Sequence, residues 1–147
     1  MPHSQSDLRP RLVDIALTWQ QQFGVAPSIT SAVSEYDAAA LVGMTEQEYG
    51  LACCNRTAVS RGWDFLFKDI RYQVKANRPS GRAGSPVTLV GKPNNYEWDK
   101  LIWILYDREY VIQEAWQWDV QEHRSQFETK KRLSPVDMRR GVRLYPG

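Results

Sequence analysis

Histidine and cysteine are scarce in this chain, with two of each. Two imidazoles alone cannot fill the four positions of a structural zinc site. The two thiols, Cys53 and Cys54, are adjacent and so match neither a CxxC redox couple nor a zinc knuckle. They read as reduced, half-buried thiols of a cytosolic protein. No apolar run reaches membrane-spanning length, and no basic–apolar–small leader opens the chain. The expectation is a soluble, cytoplasmic protein with no membrane partner. Internal repeats and low-complexity segments are also missing.

What is present is ordinary in bulk. A length of 147 residues suits a single domain with a sizeable core, and 42% apolar with 24% charged residues fits a globular protein. Six Trp and seven Tyr supply large contacts for a core, an interface or base stacking. The net charge of +2 hides an uneven distribution. Residues 1–67 carry 4 Lys/Arg against 7 Asp/Glu, and residues 93–122 carry 2 against 7. Residues 68–92 carry 6 against 1, and residues 123–147 carry 7 against 2. Two basic blocks are what a phosphate-binding surface requires, although solvated loops produce the same pattern.

The first third reads as helical. Leu8, Leu12, Ile15, Ala16, Trp19 and Phe23 recur at helical spacing, and Gly24 with Pro27 closes the segment. A second helix is predicted over Ser31–Val42, with Ala32, Val33, Tyr36, Ala40 and Leu41 inward. Thr45-Glu46-Gln47-Glu48 is a capping box that starts a third helix running toward Cys54. The pattern then turns strand-like at Trp63–Phe67 and Arg71–Ala76, with Lys68-Asp69 at the turn. Asn77 to Pro86 reads as a flexible loop, Val87–Val90 as a strand, and Pro93-Asn94-Asn95 as the cap of a short helix through Lys100. The continuous apolar run Leu101–Tyr106 fits a central strand covered on both faces. A strand over Tyr110–Trp116, a helix over about Val120–Thr129 and a basic tail complete the chain. Trp116-Gln117-Trp118 reads as core plus rim.

The segment from Arg61 to Gly81 carries the chemistry. Alternation along a strand puts Gln73 and Lys75 on one face and Val74 on the other, with Asp64 opposite them across the hairpin. Mg²⁺ takes oxygen ligands and keeps several waters. The Asp64 carboxylate, the Gln73 amide oxygen and the Val74 main-chain carbonyl are suitable donors. Lys75 is then placed to position or deprotonate a water and to offset phosphate charge. Structural readings compete at each position: Asp64 as a turn residue, Gln73 as an edge-strand polar group, Glu48 as a cap. An inward Lys75 between Val74 and Ala76 is the hardest to explain structurally, because it costs free energy unless paired.

Gly62-Trp63-Asp64 followed by Tyr72-Gln73-Val74-Lys75, after a helix containing Ser34-Glu35-Tyr36-Asp37-Ala38-Ala39, resembles the PD-(D/E)XK nuclease superfamily. The order helix–strands–helix–strand over roughly residues 30–120 is similar too. The resemblance implies an α/β (α+β) fold with a restriction-endonuclease-like core: a central mixed sheet flanked by helices, behind a helical N-terminal third. Length and patterning give one domain, with residues 1–55 helical, 60–120 holding the sheet and motif, and 121–147 a helix and basic tail. The resemblance assigns Asp64, Gln73, Lys75 and the helical Glu35 to catalysis, with Asp64, Gln73, Val74 and Glu35 holding Mg²⁺ or Mn²⁺. Gln73 replaces the superfamily's usual Glu and removes one negative charge, which lowers metal affinity unless Glu35 or Glu48 compensates.

The loop after Lys75 offers Asn77, Arg78, Ser80 and Arg82, followed by Lys92, to a phosphate backbone or groove. Lys130, Lys131, Arg132, Arg139 and Arg140 in the tail would add salt-dependent affinity. The leading expectation is a Mg²⁺-dependent endonuclease acting on nucleic acid, double-stranded DNA foremost, in a restriction or defence role. Duplex cleavage by single sites implies a homodimer or two sequential nicks. The alternatives are a non-catalytic nucleic-acid-binding protein, with Gln73 marking an abandoned site, and a small protein-interaction module.

Overall fold

The computed structural model describes residues 7–54, 62–79 and 86–147. Three helices come first: α1 (Leu8–Phe23), α2 (Thr30–Leu41) and α3 (Glu46–Cys54). Then follow β1 (Phe65–Phe67), β2 (Ile70–Asn77), β3 (Lys100–Tyr106), β4 (Ile112–Asp119), α4 (Val120–Phe127), α5 (Pro135–Met138) and β5 (Val142–Tyr145). The strands form one sheet in the order β1-β2-β3-β4-β5. β2 and β3 are parallel and the other neighbours antiparallel. The mixed α+β architecture with a helical first third therefore agrees with the sequence reading.

β3 explains why the sheet is covered on both sides. Its even residues Ile102, Ile104 and Tyr106 enter one core with Val33, Ala38, Ala39, Tyr72 and Val74. Its odd residues Leu101 and Trp103 enter a second core with Val90, Trp98, Trp118, Phe127 and Leu133. A strand buried on both faces loses the polar alternation of a half-exposed one, hence the unbroken apolar run. Helices α1–α3 cover the first core, and α4, α5 and the chain between β2 and β3 cover the second.

α1 ends at Gly24, whose φ of 81° lets its N–H reach the Gln20 carbonyl. Of the stripe that marks α1 in the sequence, Ala16 alone is buried. Leu8, Leu12, Ile15, Trp19 and Phe23 are exposed, and Val13 and Ala16 are the buried residues. The helix is held by another strip, through Arg9. That guanidinium donates to both carboxylate oxygens of buried Asp37, at 2.6 and 2.7 Å, and Tyr106 Oη donates to the same group at 2.6 Å. Paired and hydrogen-bonded, Asp37 tolerates burial. On α2, Val33 faces inward as expected, but Ala32 and Ala40 are exposed and Ala38 and Ala39 are buried instead. α3 begins with the capping box: Glu48 accepts from the Thr45 N–H at 3.0 Å, and Thr45 Oγ1 accepts from the Glu48 N–H at 3.1 Å.

β1 and β2 meet across a two-residue turn in which Lys68 and Asp69 both have positive φ, 51° and 64°. This is the twist that suits a tight hairpin. The crossover from β2 to parallel β3 differs from expectation. Val87–Val90 contributes a single bridge, Val90 to Leu133, and the segment capped by Pro93-Asn94-Asn95 is not helical. Asn95 instead makes a local turn, its Oδ1 accepting the Glu97 N–H at 2.8 Å while its carbonyl receives Trp98 Nε1 at 2.8 Å. The basic tail is also not a free arm. Ser134 and Asp137 cap α5 reciprocally, and β5 pairs with β4 as an edge strand.

Candidate functional site

β1 is shorter than β2, and the geometry of the site follows from that mismatch. Their ladder ends at Phe65 opposite Tyr72, which leaves Asp64 one residue beyond the last pair. The chain stays attached there: the Asp64 N–H donates to the Tyr72 carbonyl at 2.7 Å. Its side chain then takes over from the missing strand, Oδ2 accepting the Val74 N–H at 2.7 Å. The two main-chain groups of one strand residue leave on the same edge. The Val74 carbonyl therefore faces the edge on which Asp64 lies.

A pocket of about 250 Å³ opens at this edge, lined by Thr30, Ser31, Ser34, Glu35, Asp64, Gln73, Val74, Lys75 and Ala76. The structure thus brings Glu35, Asp64, Gln73 and Lys75 to one cavity. They arrive from different sides. Tyr72 and Val74 point into the core beneath α2, so alternation sends Gln73 and Lys75 to the opposite face. α2 lies on the Val74 side and contributes Glu35 with three hydroxyl residues. The pocket wraps around the strand edge. The Lys75 stem passes 3.6 Å from where a Cβ on Gly91 would lie. Its ammonium makes no ion pair among the described residues. Gly62 sets the approach to Asp64: at φ 79°, an added Cβ would strike the Glu97 carboxylate and come within 2.8 Å of the Asn95 amide.

The donors at this edge are oxygen: two carboxylates, one amide and one main-chain carbonyl. That is the chemistry Mg²⁺ or Mn²⁺ prefers. No cluster of three or more His, Cys, Asp or Glu side chains forms among the described residues. The amide and the carbonyl would therefore have to complete the set. Glu48 is outside the pocket and committed to its cap, which holds its carboxyl below the ordinary range through the Thr45 N–H and hydroxyl.

Asn77 and four of the basic residues expected to meet phosphate, Arg78, Lys92, Lys130 and Arg139, serve the fold. Asn77 donates to the Leu89 carbonyl at 2.9 Å and accepts from Trp103 Nε1 at 2.9 Å. Arg78 lies over the Tyr110 ring and donates to the Arg108 carbonyl at 2.9 Å and to Gln20 at 2.8 Å. Lys92 closes the end of α4, donating to the Glu128 and Lys130 carbonyls at 2.8 Å. Lys130 pairs with Asp137 at 2.8 Å, and Arg139 clamps Glu114 at 2.6 and 2.9 Å. Lys131, Arg132 and Arg140 are exposed, with no ion pair among the described residues. Ser80 and Arg82 lie outside the described residues.

Sequence reasoning missed Thr30, Ser31 and Ser34 as pocket residues. Their signal was present: they lie on the first turns of the helix that carries Glu35, and Ser31 is four residues before it. Trp116-Gln117-Trp118 divides as expected, Trp118 being buried while Trp116 is half-buried under Arg143. Among the described residues, no helix is long and apolar enough to cross a membrane. No protein-family model matches the chain, and no curated protein matches it.

Proposed function

We propose that this protein is a metal-dependent endonuclease hydrolysing phosphodiester bonds of nucleic acid, with DNA the foremost substrate, on a restriction-endonuclease-like core. The observation that carries the reading is the joint lining of one pocket by Glu35, Asp64, Gln73 and Lys75. The order α2, then the β1–β2 hairpin, then β3 parallel to β2 supports it. The crossover departs from the helix–strands–helix–strand order, since its described residues form no helix.

Each residue has a role in this reading. Asp64 is oriented by the Val74 N–H and presents its carboxylate at the strand edge. Gln73 adds a neutral oxygen, Val74 its main-chain carbonyl and Glu35 a second carboxylate from α2. A bound Mg²⁺ would polarise the scissile phosphate and acidify a coordinated water. Lys75 orients the attacking water and offsets the charge that grows on the phosphate oxygens. Ser31 lines the same pocket and offers a hydroxyl donor for a non-bridging oxygen, while the Thr30 hydroxyl is engaged with Tyr110 Oη at 3.3 Å. Cutting both strands of a duplex takes two such pockets, hence a homodimer, or two successive nicks.

The test is cleavage of plasmid, single-stranded DNA and RNA with Mg²⁺, Mn²⁺ or EDTA. Metal-dependent cutting is expected, with Lys75→Ala and Asp64→Asn each slowing it by about a hundredfold or more. Gln73→Glu restores a carboxylate and should preserve or raise the rate; complete loss would sink the ligand assignment. One observation favours a second reading, a binding protein on the same core: the amide at Gln73 leaves two carboxylates in the pocket. Salt-sensitive binding without cutting under every metal would establish that alternative.

A further inference from the structure

The longest helix leaves its most apolar stripe in solvent. Leu8, Leu12, Ile15, Trp19 and Phe23 are 62, 39, 63, 51 and 62% exposed. They form one seam along α1, spanning about 22 Å at the rise of an α-helix. We propose that this seam is a homodimer interface, in which α1 packs antiparallel against α1 of a second copy about a twofold axis beside Ile15.

Three observations select a second copy as the occupant. The first is area. At 39 to 63% exposure, side chains of this size present about 500 Å² per copy. Two copies therefore bury about 1,000 Å² before any polar rim is counted, the threshold a biological interface has to clear. It is also more than singly scattered surface apolar residues provide.

The second is register. Leu12 and Trp19 lie three and four residues from Ile15, on opposite sides, and Leu8 and Phe23 lie seven and eight away. Antiparallel pairing sets Trp19 against the partner's Leu12 and Phe23 against the partner's Leu8. No charged side chain interrupts the seam. The third is shape. Trp19 and Phe23 form a ring pair with centroids 4.7 Å apart, standing out from the surface. Leu8 and Leu12 instead border a groove of about 720 Å³ between α1, α2 and α3, floored by Tyr36 and Tyr49. One helix thus carries a protrusion at one end and a recess at the other. A twofold contact uses each of them twice.

The inference does not rest on the nuclease reading, because its test reads mass and proximity rather than cleavage. Sedimentation equilibrium of the full chain at micromolar concentration should return twice the 17.0 kDa of one copy. Ile15→Glu buries a charge at the axis and should weaken association about a hundredfold, with the far-ultraviolet spectrum unchanged because this side chain makes no core contact. In a Cys53→Ser/Cys54→Ser background, Ile15→Cys should oxidise to a covalent dimer. Gln22→Cys, two helical turns from the axis, should not. A monomeric wild type, a dimer that survives Ile15→Glu, or equal crosslinking at both positions would overturn the assignment.

Discussion

At the scale of single residues, His123 is the most exacting group outside the pocket. It is fully buried, ringed by Trp98, Trp118, Phe127 and Tyr96, and both of its ring nitrogens lack a hydrogen-bond partner among the described residues. Burial, reinforced by the charge of Lys92, lowers its pKa from 6.5 to about 4. The unfolded chain therefore takes up this proton first as the pH falls. Stability is undiminished above pH about 6.5, declines between there and pH about 4, and then levels off. The full loss is about 3 kcal/mol. Urea midpoints at about pH 7 and about pH 4.5 should differ accordingly. His123→Leu should flatten that difference and leave neutral-pH stability equal or higher, since two unsatisfied nitrogens disappear with the ring. A slope that survives in the variant would place the titration elsewhere. Local chemistry also explains why the pocket was legible. Asp64, Gln73 and Lys75 sit within one hairpin, and Glu35 was reached through the resemblance. The engagements of Arg78 with Gln20 and of Arg139 with Glu114 were not legible, because their partners lie 58 and 25 residues away.

At the scale of elements, the β1–β2 hairpin is strained where it turns. Lys68 and Asp69 occupy the left-handed region that Asn and Gly adopt at lower cost. Lys68→Asn with Asp69→Gly should raise stability by about 1 kcal/mol, outweighing the exposed Lys68–Phe67 contact. Thermal unfolding checks it: the melting temperature should rise by about 2–8 °C. A fall would mean that the turn geometry is imposed by the strands and not relieved by the residues. β3 and the helical first third could be read in the sequence because burial and periodicity are local signals. The side of α1 that faces inward could not be. A 3.6-residue period shows that a stripe exists, not what covers it. The same limit hid β5. Four residues carry little pattern of their own, and their pairing with β4 is a long-range choice.

At the scale of the whole molecule, the charge blocks of the sequence overstate the basic surface of the fold. Of the described cations assigned to phosphate in the loop and tail, Arg78, Lys92, Lys130 and Arg139 are engaged by other groups of the protein, which leaves Lys131, Arg132 and Arg140 open. Replacing these three with Ala should weaken nucleic-acid binding and reduce the slope of log affinity against log salt by roughly 3. Stability should stay within about 0.5 kcal/mol. Filter binding across a salt series measures the slope, and an unchanged slope would move the phosphate contacts to other residues. The short β1 has one more consequence. A strand edge with unanswered amides is a template on which another chain can add itself, the first step of sheet-to-sheet aggregation. Here the Asp64 carboxylate already occupies the Val74 amide. The group assigned to catalysis also denies that edge to a stranger, so a variant chosen to silence the pocket should be watched for turbidity as well as for lost cleavage.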